Sequence, residues 1–428
     1  MVAELSRRGH AVEYWSFDEF RPAIEGAGGR FRAYPDVPGY RDRQAADNLL
    51  RLARLVMEVT ERIIPSILGA LRADPPDVVV YDALAVWGAY AARVLGIPGV
   101  TSFSTFVVDG RVLRRDAALL LYGLRQIAGA WPELLPFERS RRALRRRYGT
   151  PAPRADEMWS IRERLNLVFT SRELQPFGEL FQSDYTFVGP ALRSESLSDF
   201  PFEALRAPLI YVSLGTLFND RPEFFRAAID AFGTDGGSLV LAVGDAVDPA
   251  DLGPVPPHVV VRRFVPQLAL LRRAALFVTH GGMNSVNEAL SFGVPLLVYP
   301  QVHDQLVVAR RVVELGAGLR LRGRPDAAAL RRAADDVLGD PRYRQRSQVI
   351  GATLRASGGA ARAADEIERF AASRLRGEDE PADRGGESQR HPGEPVDGDE
   401  PRELRPDDER PEEHDRTARE EERAAGRR

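Results

Sequence analysis

Two tracts of this chain alternate short apolar runs with amphipathic stretches, and that alternation leaves few folds open. In the first tract, Ala11 to Ser16, Val78 to Tyr81, Val100 to Phe103, Leu167 to Thr170 and Thr186 to Val188 read as strands. Val2 to Arg8, Leu49 to Arg72, Val86 to Leu95 and Ser140 to Arg147 read as helices between them. The second tract repeats the pattern, with strands at Leu209 to Val212, Leu239 to Val243, Val259 to Arg262, Leu276 to Val278 and Leu296 to Val298. Strands that alternate with helices specify a parallel sheet covered on both faces. A chain of 428 residues is long for one core and suits two such domains. The polar stretch near 190–207 divides them. The expected organisation is an α/β domain over 1–190, a linker over 191–207 and a second α/β domain over 208–358. A final helix over 359–376 and a charged tail over 377–428 follow.

The most informative segment lies in the second tract. Thr279-His280-Gly281-Gly282-Met283-Asn284-Ser285-Val286-Asn287-Glu288 follows an apolar strand and opens a helix. Strand, glycine turn and helix start is how an open parallel sheet binds a phosphate, because exposed N–H groups and the positive end of the helix dipole face the anion. Gly281 and Gly282 let backbone approach a ligand closely. His280 supplies a donor, and Asn284 and Ser285 add more at the helix start. An ordinary strand–helix connection with a polar cap fits the turn equally well when it is taken alone.

The flanks decide between these readings. Arg263-Phe264-Val265-Pro266-Gln267 stands upstream, and Pro300-Gln301-Val302-His303-Asp304-Gln305 stands downstream. The stretch from about 264 to 305 resembles the donor-binding signature of the family 1 glycosyltransferases, and of their bacterial macrolide-type branch above all. The resemblance covers about residues 1–376. It implies a GT-B fold, two Rossmann-like domains facing a cleft, and transfer of a hexose from a nucleotide diphosphate sugar to a small hydrophobic acceptor with inversion at the anomeric carbon. Phe264 then stands where the family stacks an aromatic on the base, usually tryptophan, and the Val265 backbone pairs with the base edge. Gln267 and Glu288 bind ribose hydroxyls, which favours UDP over dTDP. His280, Gly281, Gly282, Asn284 and Ser285 hold the diphosphate, with Ser213 or Thr216 reaching the β-phosphate. Asp304 and Gln305 read the sugar. The acceptor would meet Phe103, Ser104 and Phe106, although phenylalanines so placed are more often core than acceptor contacts. The resemblance implies no metal and no cofactor beyond the sugar nucleotide.

On the acceptor side, Pro76 to Asp82 is a buried-type strand that ends in a carboxylate. Strand C-termini in such sheets face the ligand crevice. The resemblance makes Asp82 the partner of a base histidine; the residue would also serve as a helix N-cap. That histidine belongs to a strand and glycine loop expected before Met1, through a start site set downstream. The alternative is a shortened relative serving as a non-catalytic nucleotide-sugar-binding or auxiliary protein. His10 is expected to be a boundary residue and no substitute.

Composition excludes other chemistries. There is no cysteine, so disulfides and thiolate catalysis are ruled out, and no metal-ligand spacing occurs. No apolar run approaches the ~18 residues of a membrane span, and Glu4, Arg7 and Arg8 interrupt any leader-like core, so a cytoplasmic protein is expected. All 59 basic residues are arginine. The net charge of −3 hides a tail of −9 from Glu378 onward against a body of +6. With Val396 and Leu404 as its only large aliphatics, that tail is expected to be disordered. The run Arg139 to Arg147 is basic but lacks aromatic interleaving, so nucleic acid is not an expected partner.

Overall fold

The computed structural model describes residues 1–37, 48–155, 157–192, 200–216, 219–234 and 236–376. The charged tail lies outside them, as do residues 193–199 of the expected linker.

The N-terminal lobe runs α1 (Val2–Arg7), β1 (Glu13–Ser16), α2 (Arg21–Gly26), β2 (Arg30–Ala33), α3 (Leu49–Ala73), β3 (Val79–Asp82), α4 (Val86–Leu95) and β4 (Gly99–Phe103). It continues with α5 (Gly110–Arg115), α6 (Ala117–Gly129), α7 (Leu134–Tyr148), β5 (Leu165–Val168) and β6 (Tyr185–Phe187). Its strands pair in parallel throughout, but they form two sheets, β1-β2 and β3-β4-β5-β6. Among the described residues no strand pairs with the outer edge of β3. The long helix α3 begins at Asn48, whose side chain accepts from the Leu50 and Arg51 N–H groups. Met57, Ile63, Ile64 and Leu68 of α3 are packed against Trp87 and Tyr90 of α4 and Phe137 and Leu144 of α7.

The second lobe comprises β7 (Leu209–Ser213), α8 (Pro222–Phe232), β8 (Ser238–Ala242), β9 (Val259–Arg262), α9 (Gln267–Leu271), β10 (Ala274–Thr279) and α10 (Met283–Ser291). Then follow β11 (Leu296–Val298), α11 (His303–Glu314), β12 (Gly318–Arg320), α12 (Ala327–Gly339) and α13 (Pro341–Ala356). One parallel sheet holds all six strands in the order β12-β11-β10-β7-β8-β9. Every residue of β7 and β8 is buried, as a strand covered on both faces requires. One apolar layer, with Phe277, Leu290 and Ile350, packs on one side of the sheet; another, with Phe225, Leu241 and Leu330, packs on the other.

The last helix, α14 (Gly359–Leu375), packs against the N-terminal lobe: Ala363, Ala364 and Ile367 share a core with Leu5, Val100 and Leu167. Arg8 clasps Asp365 and Glu368 at 2.7 Å each, and His10 meets Glu368 at 2.8 Å. His10 is thus a boundary residue. Further polar contacts join the lobes directly. Asn287 of α10 accepts from the Thr170 hydroxyl at 2.9 Å and donates to the Phe169 carbonyl at 2.9 Å. Arg311 of α11 donates to the Leu174 and Glu173 carbonyls. Arg310 pairs with the buried Asp116.

Candidate active site

In the second lobe, chain progression turns around between β7 and β10, since β8 and β9 build outward on one side and β11 and β12 on the other. Open parallel sheets bind ligands outside the strand C-termini at such a switch point. Ser213 and Thr279, which end the two strands, are register neighbours. The loops that leave them therefore face each other. Gly215, at φ +77°, sits so close to the His280 ring that a Cβ there would lie 2.6 Å from Cε1. A Cβ on Gly282 would lie 2.4 Å from Nε2. Only glycine fits at either place, and the two clamp the imidazole between them.

His280 is half-buried, and its Nδ1 is buried without a hydrogen-bond partner. Burial pulls its pKa down to about 4, with the Ser213 backbone opposing in part. The ring is neutral at pH 7 and keeps one N–H to donate. Beside it, α10 starts at Gly282 with no side-chain cap, so its first N–H groups stay available to a ligand. Gly281 donates to the Thr279 hydroxyl, which shapes the turn. Asn284 is exposed and Ser285 half-buried at the same helix mouth.

The two residues assigned to ribose meet each other. Gln267 Nε2 donates to Glu288 Oε2 at 2.5 Å and lies 3.4 Å from the Ser285 hydroxyl. Gln267 Oε1 in turn accepts from the Tyr211 hydroxyl at 2.9 Å. Phe264, in the turn after β9, is 60% exposed, a large apolar ring left in water beside this cluster's helix. Val265 is half-buried behind it.

Other expected residues are placed differently. Ser213 is buried and its hydroxyl accepts from the Gly215 N–H, so it serves the turn, while Thr216 is exposed. Asp304 is exposed at the start of α11, and its charge helps to raise the pKa of Tyr122 on α6, after burial. Gln305 points inward: it is buried, and Oε1 accepts from the Gln301 and Val302 N–H groups. Phe103 and Phe106 are 1% and 5% exposed. Phe103 packs with Phe181 and Tyr185, and Phe106 with Leu270 and Met283 of the second lobe, so both are core residues.

Asp82 ends β3. Its Oδ1 accepts from the Leu84 N–H at 2.9 Å and Oδ2 from the exposed Ser104 hydroxyl at 2.8 Å. Burial raises its pKa despite both donors. It does not cap α4, whose N-cap position is Ala85 with no side-chain bond. Its charge reaches across to raise Tyr14 of β1, after burial.

Tyr211, Thr279 and Asn219 are the positioning residues that the sequence reading omitted. Asn219 is buried and donates to the Gly215 carbonyl at 2.9 Å, holding the loop against His280. The polar pair Asn219-Asp220, between Gly215 and Pro222, was the available signal. Tyr211 lies in an apolar strand run, where nothing local distinguishes it from core, while Thr279 opens the glycine-turn segment but was given no role of its own.

Comparison with known proteins covers nearly the whole described chain. Residues 227–368 match the family model described as erythromycin biosynthesis protein CIII-like, C-terminal domain. An NDP-glycosyltransferase of Bacillus licheniformis is 33% identical over 383 residues, 87% of this chain and 93% of the relative. The oleandomycin glycosyltransferase of Streptomyces antibioticus is 32% identical, over 86% of each. The crystal structure of the calicheamicin glycosyltransferase superposes with a TM-score of 0.72 at 32% identity, covering 86% of this chain and 93% of that one.

Proposed function

The chain belongs to the family 1 glycosyltransferases, in their macrolide-type branch, and from that membership we propose that it transfers a hexose from UDP to a hydroxyl of a small hydrophobic natural product. The observation that carries the donor half is the switch-point crevice, where His280 and the uncapped start of α10 converge. The donor's diphosphate lies across the first N–H groups of α10, with the His280 N–H on a phosphate oxygen. These dipoles are fixed before the ligand arrives, so they stabilise the charge that grows as the anomeric C–O bond breaks. Phe264 stacks on the uracil. Gln267 and Glu288 take the ribose, and a carboxylate that accepts from both hydroxyls favours ribose over deoxyribose.

The acceptor oxygen attacks the anomeric carbon from the face opposite the diphosphate. A carbon–oxygen bond forms there, the bond to the β-phosphate oxygen breaks, and UDP leaves with the electron pair. The family resemblance implies a histidine base for the acceptor's proton; Asp82 is the carboxylate that would orient it and offset its charge, and the Ser104 hydroxyl and Leu84 N–H favour the charged form of Asp82 against burial. Asp304, exposed at the start of α11, is placed to meet the sugar; Gln305 has only its amide nitrogen left to offer.

Calorimetry with UDP-sugar tests the donor half. His280→Ala is expected to abolish measurable binding, and unchanged affinity contradicts the assignment. In the parent protein, UDP is expected to bind more tightly than dTDP. Glu288→Gln is expected to narrow that difference.

A further inference from the structure

Among the described residues, seven of the fifteen exposed large apolar side chains lie between Leu120 and Leu135. They are concentrated on α6, the Trp131 turn and the first residues of α7. A scattered apolar surface is normal, but a contiguous one marks an interaction site. Helix α6 reads AALLLYGLRQIAG, and none of its residues is buried. Its polar side is fastened to the lobe: Gln126 accepts from Asn48 at 2.8 Å and from the Leu49 N–H at 3.3 Å. Tyr122, on that same side, lies near Asp304. Leu120, Leu124 and Ile127, spaced i, i+4 and i+7, share the opposite side and face water at 42%, 55% and 52% exposure. Trp131, 64% exposed, extends the stripe.

The same segment is strongly basic. Arg139, Arg142, Arg145, Arg146 and Arg147 of α7 are exposed, and none forms an ion pair among the described residues. Its acids, by contrast, are already engaged: Asp116 with Arg310, Glu133 with Arg54 at 2.8 Å, and Glu138 with Arg141 at 3.0 Å. An apolar stripe with tryptophan, continued by a run of arginines, has the two signals that hold a protein on an anionic bilayer.

We propose that α6, the Trp131 turn and the arginine-rich end of α7 dock this protein onto an anionic lipid surface. The leucines and Trp131 enter the headgroup boundary, and the guanidinium groups meet lipid phosphates. A second copy of the chain is a poorer occupant, because a two-fold interface would set the arginine run near its own image. A small acceptor is too short: thirteen helical residues span about 20 Å. This inference does not depend on the donor assignment above.

The test is co-sedimentation of the full chain with phosphatidylcholine vesicles, with and without phosphatidylglycerol. Retention is expected to be about tenfold stronger on the anionic vesicles and to fall in high salt. Trp131 emission should shift to the blue on binding, and W131F should lose that shift. The pair L124S/I127S and the pair R142E/R145E change only exposed side chains. Each is expected to release the protein from vesicles, with circular dichroism and UDP-sugar affinity unchanged. Equal recovery with both vesicle types overturns the proposal, as does retention of either variant at the parental level. A parent dimer in sedimentation velocity that L124S/I127S dissolves, with no vesicle binding, overturns it in favour of a homotypic interface.

Discussion

At the scale of single residues, the site turns on one imidazole held by two glycines. His280 titrates near 4 because it is buried, against 6.5 for the free side chain. The unfolded chain therefore binds this proton more readily than the folded one. Its contribution to stability is complete above about pH 6.5 and is lost as pH falls towards 4. His280→Gln is expected to flatten the stability profile in that window, as measured by denaturant unfolding across pH. A bound diphosphate should move the His280 titration upward, which the ring C–H resonances report in NMR. Gly215→Ala puts a methyl against the ring at a positive φ, so it should cost about 1 kcal/mol or more of stability and weaken UDP-sugar binding. An unaltered melting temperature and affinity would sink that prediction. On the acceptor side, Ser104→Ala removes a donor that favours the charged carboxylate. Asp82 then titrates higher, and the acid limb of the kcat/KM profile should move to higher pH. The sequence exposed His280 and the glycines because turn chemistry is local. It did not expose Gln305's inward turn, which depends on the partners that the fold brings to it, whereas the core placement of Phe103 was the commoner expectation for an apolar strand end.

At the scale of elements, strands were legible wherever an apolar run was bounded by turn residues: β9 and β11 lie where the pattern puts them, and β3, β4, β7 and β8 differ by a residue or so. The short strands β2 and β12 escaped, since each holds one large apolar residue, Phe31 or Leu319, next to arginine and forms no apolar run. Helix α6 escaped for a different reason. Leu119 and Leu121 flank its Leu120-Leu124-Ile127 stripe, so the helical period is blurred in the sequence. Between elements, Arg310 of α11 meets a carboxylate on Asp116 that is only 7% exposed. Truncating Arg310 leaves that charge with its backbone donors alone. Arg310→Ala is expected to lower stability by about 2 kcal/mol in denaturant titration, and a change under about 0.5 kcal/mol contradicts the pairing.

At the scale of the molecule, two doubly covered lobes were readable because the alternation repeats on either side of a polar break. The contacts that join them were not readable, since Asn287 and Thr170 lie 117 positions apart in the chain. Asn287→Leu removes both hydrogen bonds to the N-terminal lobe and leaves the helix mouth untouched. UDP affinity should stay within about threefold, while turnover on the acceptor falls by about tenfold or more, as misplacing the reactants predicts. Parallel losses in both would place Asn287 in the donor site instead.

The helix proposed to receive the phosphates is also the one riveted to the opposite lobe. It is nine residues long, about 13 Å, with the proposed phosphate site at its first turn and Asn287 one turn further on. The proposed phosphate site and the inter-lobe contact at Asn287 are therefore separated by one helical turn, about 5 Å. With the diphosphate seated as proposed, the arrival of one substrate is expected to adjust the berth of the other through this one short helix.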